Sequence, residues 1–265
     1  FSVGASPYWT VRADFDGDGR ADVATTNYNS NDVTVHLGDD DERLRWWTTV
    51  PVGTAPIAGV APDLNGDGHP DLVVANLSSA DISVRLYGAG GFSAAPDIST
   101  GDSVFSLVSA DFNSDGRADV VGSNGYFGTL SLFLGNGDGT FGAPSNIGPA
   151  SWQPAGLVVA DMNQDGLEDV IVISPQSDEV NILLSFPEQP SRFSPVAVED
   201  FGSTLRRGTA ADVTRDGIPD LIVPDQRQDG VGDPDRDQRV DGAAFAEILP
   251  QGQQQVVEED QREAD

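Results

Sequence analysis

Side chains that carry ligand oxygens recur in this chain at fixed spacing, five times over. The first copy reads Asp14-Phe15-Asp16-Gly17-Asp18-Gly19-Arg20-Ala21-Asp22, and the others run Asp63 to Asp71, Asp111 to Asp119, Asp161 to Asp169 and Asp212 to Asp220. Positions one, three, five and nine hold Asp14, Asp16, Asp18 and Asp22; Asp63, Asn65, Asp67 and Asp71; Asp111, Asn113, Asp115 and Asp119; Asp161, Asn163, Asp165 and Asp169; and Asp212, Thr214, Asp216 and Asp220. Position six is always glycine: Gly19, Gly68, Gly116, Gly166 and Gly217. A hard cation such as Ca2+ gathers six to eight oxygens at roughly 2.3–2.6 Å, and alternate residues of a tightly curled loop can all point inward if a glycine permits the turn. The expected ligand set adds the backbone carbonyl of position seven, from Arg20, His69, Arg117, Leu167 and Ile218, with the ninth residue closing the shell. Four loops are complete. In the fifth, Thr214 puts a hydroxyl or a water where the others offer a carboxylate or amide, so that site is expected to be the weakest of four to five.

Position twelve separates these loops from the EF-hand, which needs a Glu there and a helix after it. Here it holds Thr25, Val74, Gly122, Val172 and Val223. Each ninth residue instead leads into a short apolar run, such as Leu72-Val73-Val74 or Val170-Ile171-Val172-Ile173, which reads as a buried strand. Three residues before the loops stand Val11, Val60, Val108, Val158 and Thr209, marking a preceding strand. Nineteen residues after the first Asp come alternating stretches, among them Val33-Thr34-Val35-His36-Leu37 and Ile82-Ser83-Val84-Arg85-Leu86, which predict a third strand with one face buried. An aromatic at Trp46 or Trp47, Phe92, Phe141 and Phe193 then opens a fourth. The loop starts lie 49, 48, 50 and 51 residues apart. Four short strands on so regular a period predict an all-β protein, a β-propeller of four-stranded blades with about five repeats visible over residues 1–225.

The fifth copy departs from the pattern. Val231 occupies its third-strand slot, but Asp233, Pro234 and Asp235 follow instead of alternating apolar residues. Residues 226–265 are dense in Gln, Asp and Arg, and are expected to form an irregular final blade or a flexible acidic tail. Asp233, Asp235, Asp237 and Asp241 repeat the ligand spacing, but off the period and with Gln238 at the turn position, leaving a sixth ion site or an acidic run of chance spacing as alternatives. Leu249 to Val257 could add one strand or a short helix.

The formal charge is −29, and all fourteen cations are arginines. Nucleic acid is excluded as a partner, because phosphates would be repelled and no basic stripe offsets that. Five Ca2+ ions would take −29 to −19. No segment approaches the eighteen or so apolar residues of a membrane helix, so no membrane insertion is expected. The chain opens on Phe1-Ser2-Val3-Gly4, and any signal peptide is expected to have been removed or to lie outside it. The absence of cysteine excludes disulfides and thiol catalysis.

The Asp-x-Asp/Asn-x-Asp-Gly-x-x-Asp loops, together with Gly137-Asp138-Gly139-Thr140-Phe141-Gly142-Ala143-Pro144, resemble the FG-GAP/VCBS repeat family, which includes the propellers of integrin α subunits. The resemblance covers roughly residues 1–225, and its Phe-Gly-Ala-Pro element is degraded to Phe92-Ser-Ala-Ala-Pro96 and Phe193-Ser-Pro195 elsewhere. It implies seven blades around a channel; with five loops present, either this chain is a piece of a larger propeller or its final blade is unusual. It also implies calcium in the loop between the first two strands of a blade, and extracellular work in adhesion or glycan binding.

Catalysis finds few candidates. His36 lies in a strand slot and His69 in a loop, both expected to be structural or surface residues, and Gly101-Asp102-Ser103 has no histidine downstream to act as base. The chain is therefore read as no enzyme. It is read as a secreted or cell-surface, lectin-like binding or adhesion module for a glycan or an extracellular protein, with Ca2+ mainly structural; the alternative is the accessory propeller of a secreted polysaccharide-active enzyme. Tyr8, Trp9, Tyr126, Phe127 and Trp152 break the repeat pattern, either as sugar-stacking rings or as fillers between blades. Asn76-Leu77-Ser78 fits a glycosylation acceptor.

Overall fold

The computed structural model describes residues 2–41, 43–149, 154–177, 179–186, 193–198, 208–215, 217–224 and 243–246. Among them there are strands and turns and no helix. The strands form successive antiparallel sheets in chain order. The first is β1 (Pro7–Ala13), β2 (Asp22–Asn27), β3 (Asp32–Gly38) and β4 (Leu44–Pro51). The second is β5 (Pro56–Val60), β6 (Leu72–Asn76) and β7 (Asp81–Leu86), with two short pieces, β8 (Ser93–Ala94) and β9 (Ile98–Ser99), both paired to β7. The third is β10 (Val104–Ala110), β11 (Asp119–Asn124), β12 (Thr129–Phe133) and β13 (Ser145–Pro149), and the fourth is β14 (Gly156–Ala160), β15 (Asp169–Ser174), β16 (Glu179–Leu184) and β17 (Ser194–Val198). The fifth is β18 (Thr209–Ala211), β19 (Asp220–Pro224) and β20 (Ala243–Ala246).

The sheets stack face to face, and each interface is one apolar layer. Ala24, Val33 and Val35 of the first sheet meet Leu72 and Val74 of the second. The other face of β6, through Val73 and Ala75, meets Val104 and Phe133 of the third. Val121 and Leu132 then meet Val170 and Val172, and Ile171 and Ile173 meet Leu221. Second strands are thus buried on both sides, which is why they read as unbroken apolar runs instead of alternating. At about 1.5–3 kcal/mol per fully buried aliphatic side chain, these layers hold the sheets together. The first strands of neighbouring sheets also approach one another, β1 to β5, β5 to β10, β10 to β14 and β14 to β18.

Three expectations need amending. The third strands bury both faces in the first two sheets: Thr34 and Ser83 are as inaccessible as Val33 and Ile82. Their hydroxyls accept N–H bonds from Asn27 and Asn76 at the ends of β2 and β6, so the polar half of the alternation is satisfied internally. The aromatics expected to open fourth strands do so only at Trp46 and Trp47. Phe92 and Phe193 precede β8 and β17, and Phe141 makes an isolated bridge to Gly135 before β13. Each packs on the second residue of the preceding loop or its layer: Phe92 on Phe15 at 5.5 Å, Phe193 on Phe112 at 6.1 Å, and Phe141 on the layer that includes Leu64. In the fifth sheet the third strand is β20, so it comes from within residues 226–265; its register runs Leu221↔Ala246 to Pro224↔Ala243. Val231, Asp233 to Asp241 and Leu249 to Val257 lie outside the described residues.

Candidate metal loops

The strands bracket each acidic loop. β1, β10 and β14 end one residue before position one, and β2, β11 and β15 begin at position nine; in the second sheet β5 ends at Val60 and β6 begins at Leu72, just after position nine. Between them the backbone turns through two left-handed residues. Position six is one, as expected, with φ from 81° to 89° in the five loops. Position four is the other: Gly17 (75°), Gly66 (72°), Ser114 (58°), Gln164 (58°) and Arg215 (63°). The sequence signalled only the first of these, because the second tolerates side chains at modest cost.

This turn gathers the oxygens. The carboxylate of position one accepts the N–H of the position-six glycine in every loop, at 2.7 Å in the first and 3.1 Å in the fifth. The position-three oxygens of Asp16, Asn65, Asn113 and Asn163 accept the N–H of position five at 2.9–3.2 Å. Position five accepts the N–H of position seven, from Arg20, His69, Arg117 and Leu167, at 2.8–3.0 Å. In the first loop Asp14, Asp16 and Asp18 each bring a carboxylate oxygen within 4.8 Å of the other two. The side chain of Arg20 pairs with Asp18 and Asp40. The N–H of Arg20, with its guanidinium beside it, holds Asp18 below the usual carboxylate range. Asp216 of the fifth loop lies outside the described residues.

The ninth residue plays a second part that spacing did not signal. Asp22, Asp71, Asp119 and Asp169 are fully buried. One oxygen accepts the N–H of position two, from Phe15, Leu64, Phe112 and Met162, at 2.7–3.1 Å. The other accepts an N–H where the third strand ends, from Gly38, Tyr87, Gly135 and Ser185, at 2.8–2.9 Å. These carboxylates staple the loop to the sheet. Burial pushes Asp71, Asp119 and Asp169 up to about 6, and the nearby charges of positions five and one add to it. Burial raises Asp22 also. Asp220 differs: the N–H groups of Thr214 and Val213 fall on a single oxygen at 2.9 and 2.7 Å and hold it below the usual range. Its position-two residue, Val213, is half-exposed, unlike buried Phe15, Leu64, Phe112 and Met162.

Neighbouring loops touch. The His69 ring reaches from the second loop to the carbonyl of Phe15 in the first, at 3.3 Å, and lies 5.1 Å from Tyr87. Gln164 of the fourth donates to the carbonyl of Gly217 in the fifth at 2.8 Å. An all-oxygen donor set, with like charges held close and partly desolvated, fits a hard divalent cation, which would compensate the burial and the added repulsion that raise the ninth carboxylates.

The remaining candidates separate. His36 is buried in β3. Ser103 donates its hydroxyl to the carbonyl of Leu77 at 2.9 Å, joining two connections. Asn76 is fully buried and donates to Asp81 and Ser83, so it offers no acceptor for a glycan. Trp9 donates its indole N–H to the carbonyl of Gly59 at 3.1 Å and fills the gap between the first two sheets. Tyr8, Tyr126 and Phe127 remain exposed, at 55%, 66% and 74%. Trp152 lies outside the described residues. The clamp formed by Asn27, Asn76 and Asn124, each donating across its hairpin at 2.7–2.9 Å, was missed, although Asn at thirteen residues past the first Asp in three repeats would have signalled it.

Comparison with known proteins agrees with the repeat. The profile of the FG-GAP-like repeat matches residues 63–122 and 111–172. No curated protein matches the chain. Among solved structures, a lectin of Agrocybe aegerita that recognises non-reducing terminal N-acetylglucosamine is similar over 82% of this chain and 60% of its own, at 22% identity and a TM-score of 0.57. A functionally unknown protein from Desulfotomaculum acetoxidans is similar over 84% and 64%, at 13% identity and 0.59. A protein from Lactobacillus plantarum is similar over 82% and 63%, at 15% identity and 0.58. The chain thus spans 60–64% of the length of these three, and the likeness is one of fold. Residues 63–172 thus carry two overlapping matches to the FG-GAP-like repeat.

Proposed function

We propose that this chain is a calcium-pinned β-propeller, or an arc of one, that works outside the cell as a non-catalytic binding module for a glycan or a protein. The observation that carries the reading is the recurrence of one loop geometry in four successive sheets, with positions one, three and five convergent and the ninth carboxylate stapled to both neighbouring strands. Ca2+ would be held by Asp14, Asp16 and Asp18 and their counterparts, with the carbonyl of position seven. It would fix each loop against its sheet and so act as support. Sites of this kind in extracellular modules bind at roughly 10⁻⁴–10⁻³ M, which favours a calcium-rich exterior over a cytosol. The succession of antiparallel sheets with adjoining first strands supports a propeller. A fold shared with a lectin supports recognition of glycans.

The test is thermal unfolding of the intact chain with chelator and with millimolar Ca2+, beside Mg2+ as control. A rise in melting temperature with Ca2+ and little change with Mg2+ is expected. Identical melting in all three would refute the reading.

A further inference from the structure

The topology segregates charge. All five acidic loops join first to second strands, and the turns from third to fourth strands, including Asp39 to Asp41 and Asp138, lie at the same edge of the sheets. The opposite edge carries the turns from second to third strands and the connections between sheets. Across the first three sheets its carboxylates are Asp32, Asp81 and Asp102. Asp32 and Asp81 accept bonds from Asn27 and Ser30, and from Asn76 and Ser79. What this edge offers instead is hydroxyls, amides and aromatic rings.

The rings are arranged in two sets. On the first sheet Tyr8, at the start of β1, lies 6.1 Å from Tyr28 in the β2–β3 turn. On the third sheet Phe105 occupies the same repeat position as Tyr8, six residues before the first Asp of its loop, and lies 5.8 Å from Tyr126 in the corresponding turn. A Cβ on Gly125 would come within 2.5 Å of the Phe105 ring, so glycine there lets the ring lie under the turn. The turn then raises Tyr126 and Phe127 into solvent, two large rings adjacent in sequence and both more than three-fifths exposed. The second sheet has Ile57 and Leu77 at these places, so the pairs alternate along the edge. Beside the first pair, Asn29 donates to the hydroxyl of Ser6 at 2.6 Å, and Ser30 Oγ accepts the N–H of Ala5 at 3.0 Å.

We propose that this edge carries two stacking platforms for neutral pyranose rings, Tyr8–Tyr28 on the first sheet and Phe105–Tyr126–Phe127 on the third. The faces of sugar rings present C–H groups that pack on aromatic faces, while their hydroxyls take the amides and hydroxyls around them. Charge complementarity selects the class. With a chain charge of −29, acidic glycans are repelled, and this edge presents few carboxylates of its own, of which Asp32 and Asp81 are engaged by Asn27 and Asn76. The inference rests on the binding-module reading and deepens it by naming the ligand class and the face. It also places recognition away from the metal loops.

The test is an array of neutral oligosaccharides ending in hexose or N-acetylhexosamine, beside sialylated and sulfated ones, probed with the wild-type chain, the Tyr126→Ala/Phe127→Ala double variant and Tyr8→Ala. These side chains are largely exposed, and melting in calcium verifies that each variant is folded. Wild-type binding to neutral glycans is expected, weakened about five- to tenfold by loss of either platform. Full binding by both variants would overturn the assignment while leaving a glycan-binding module in place. Preference for acidic glycans, or silence on the array, would overturn it as well. So would capture of a protein ligand through this edge, although that result would keep the binding-module reading. Calcium-dependent melting is read separately and bears on the metal loops alone.

Discussion

Replacing Asp71 by asparagine separates the two parts of the ninth carboxylate. In the metal-free protein at neutral pH, Asp71 is ionised, buried, and near the charges of Asp67 and Asp63, which together lift it from 3.8 to about 6. At about 1.36 kcal/mol per pH unit, that gap corresponds to at most about 3 kcal/mol of unfavourable ionisation in the folded state. Asparagine removes it. The amide, however, can accept only one of the N–H groups of Leu64 and Tyr87, and a buried donor left facing its NH2 costs about 1–3 kcal/mol. The two effects oppose each other, so Asp71→Asn is expected to lie within about 2 kcal/mol of wild type in chelator. Bound Ca2+ compensates the carboxylate, so the relief disappears and only the loss remains. In millimolar Ca2+ the variant should therefore fall below wild type by about 3 kcal/mol more than it does in chelator.

Urea unfolding at pH 7, followed by tryptophan fluorescence in both conditions, measures the difference. The pH dependence has a definite sign. The folded value of Asp71 lies above the unfolded one, so its favourable contribution is present below about pH 4 and is lost as pH rises through about 6 in the metal-free wild type. The variant should lose less over that window. Equal destabilisation by Asp71→Asn with and without Ca2+ would refute the reasoning and leave Asp71 as a staple alone.

Asp16→Asn gives the first loop the amide that the next three already have. It should steady the metal-free protein slightly by separating like charges, and weaken one Ca2+ site by roughly tenfold in calorimetry. Asn76→Ala removes the bonds to Asp81 and Ser83 and should cost about 2 kcal/mol in urea unfolding, in calcium and chelator alike. Trp9→Phe loses the bond to the Gly59 carbonyl and should cost about 1 kcal/mol, with glycan binding unchanged because the ring lies between sheets.

The loops were legible because ligand chemistry leaves a mark on every second residue and the mark repeats. The second strands were legible for a related reason: burial on both faces leaves unbroken runs such as Val170 to Ile173. Less visible were groups whose part depends on residues distant in sequence. Asp22 looks like one more ligand until Gly38 is seen donating to it across sixteen residues. Thr34 and Ser83 look solvent-facing because their partners, Asn27 and Asn76, end a different strand. Phe92 and Phe193 announce a fourth strand in the sequence, yet their rings are spent on the loops of the preceding sheet. The third strand of the fifth sheet was hidden because β20 lies far from the expected slot and carries no alternation.

Calorimetric titration of the intact, metal-free chain with Ca2+ tests the central claim most directly. Four loops with convergent oxygen donors predict at least three to four equivalents bound, with a weaker phase from the loop that holds Thr214. A flat titration at millimolar Ca2+ would contradict the account.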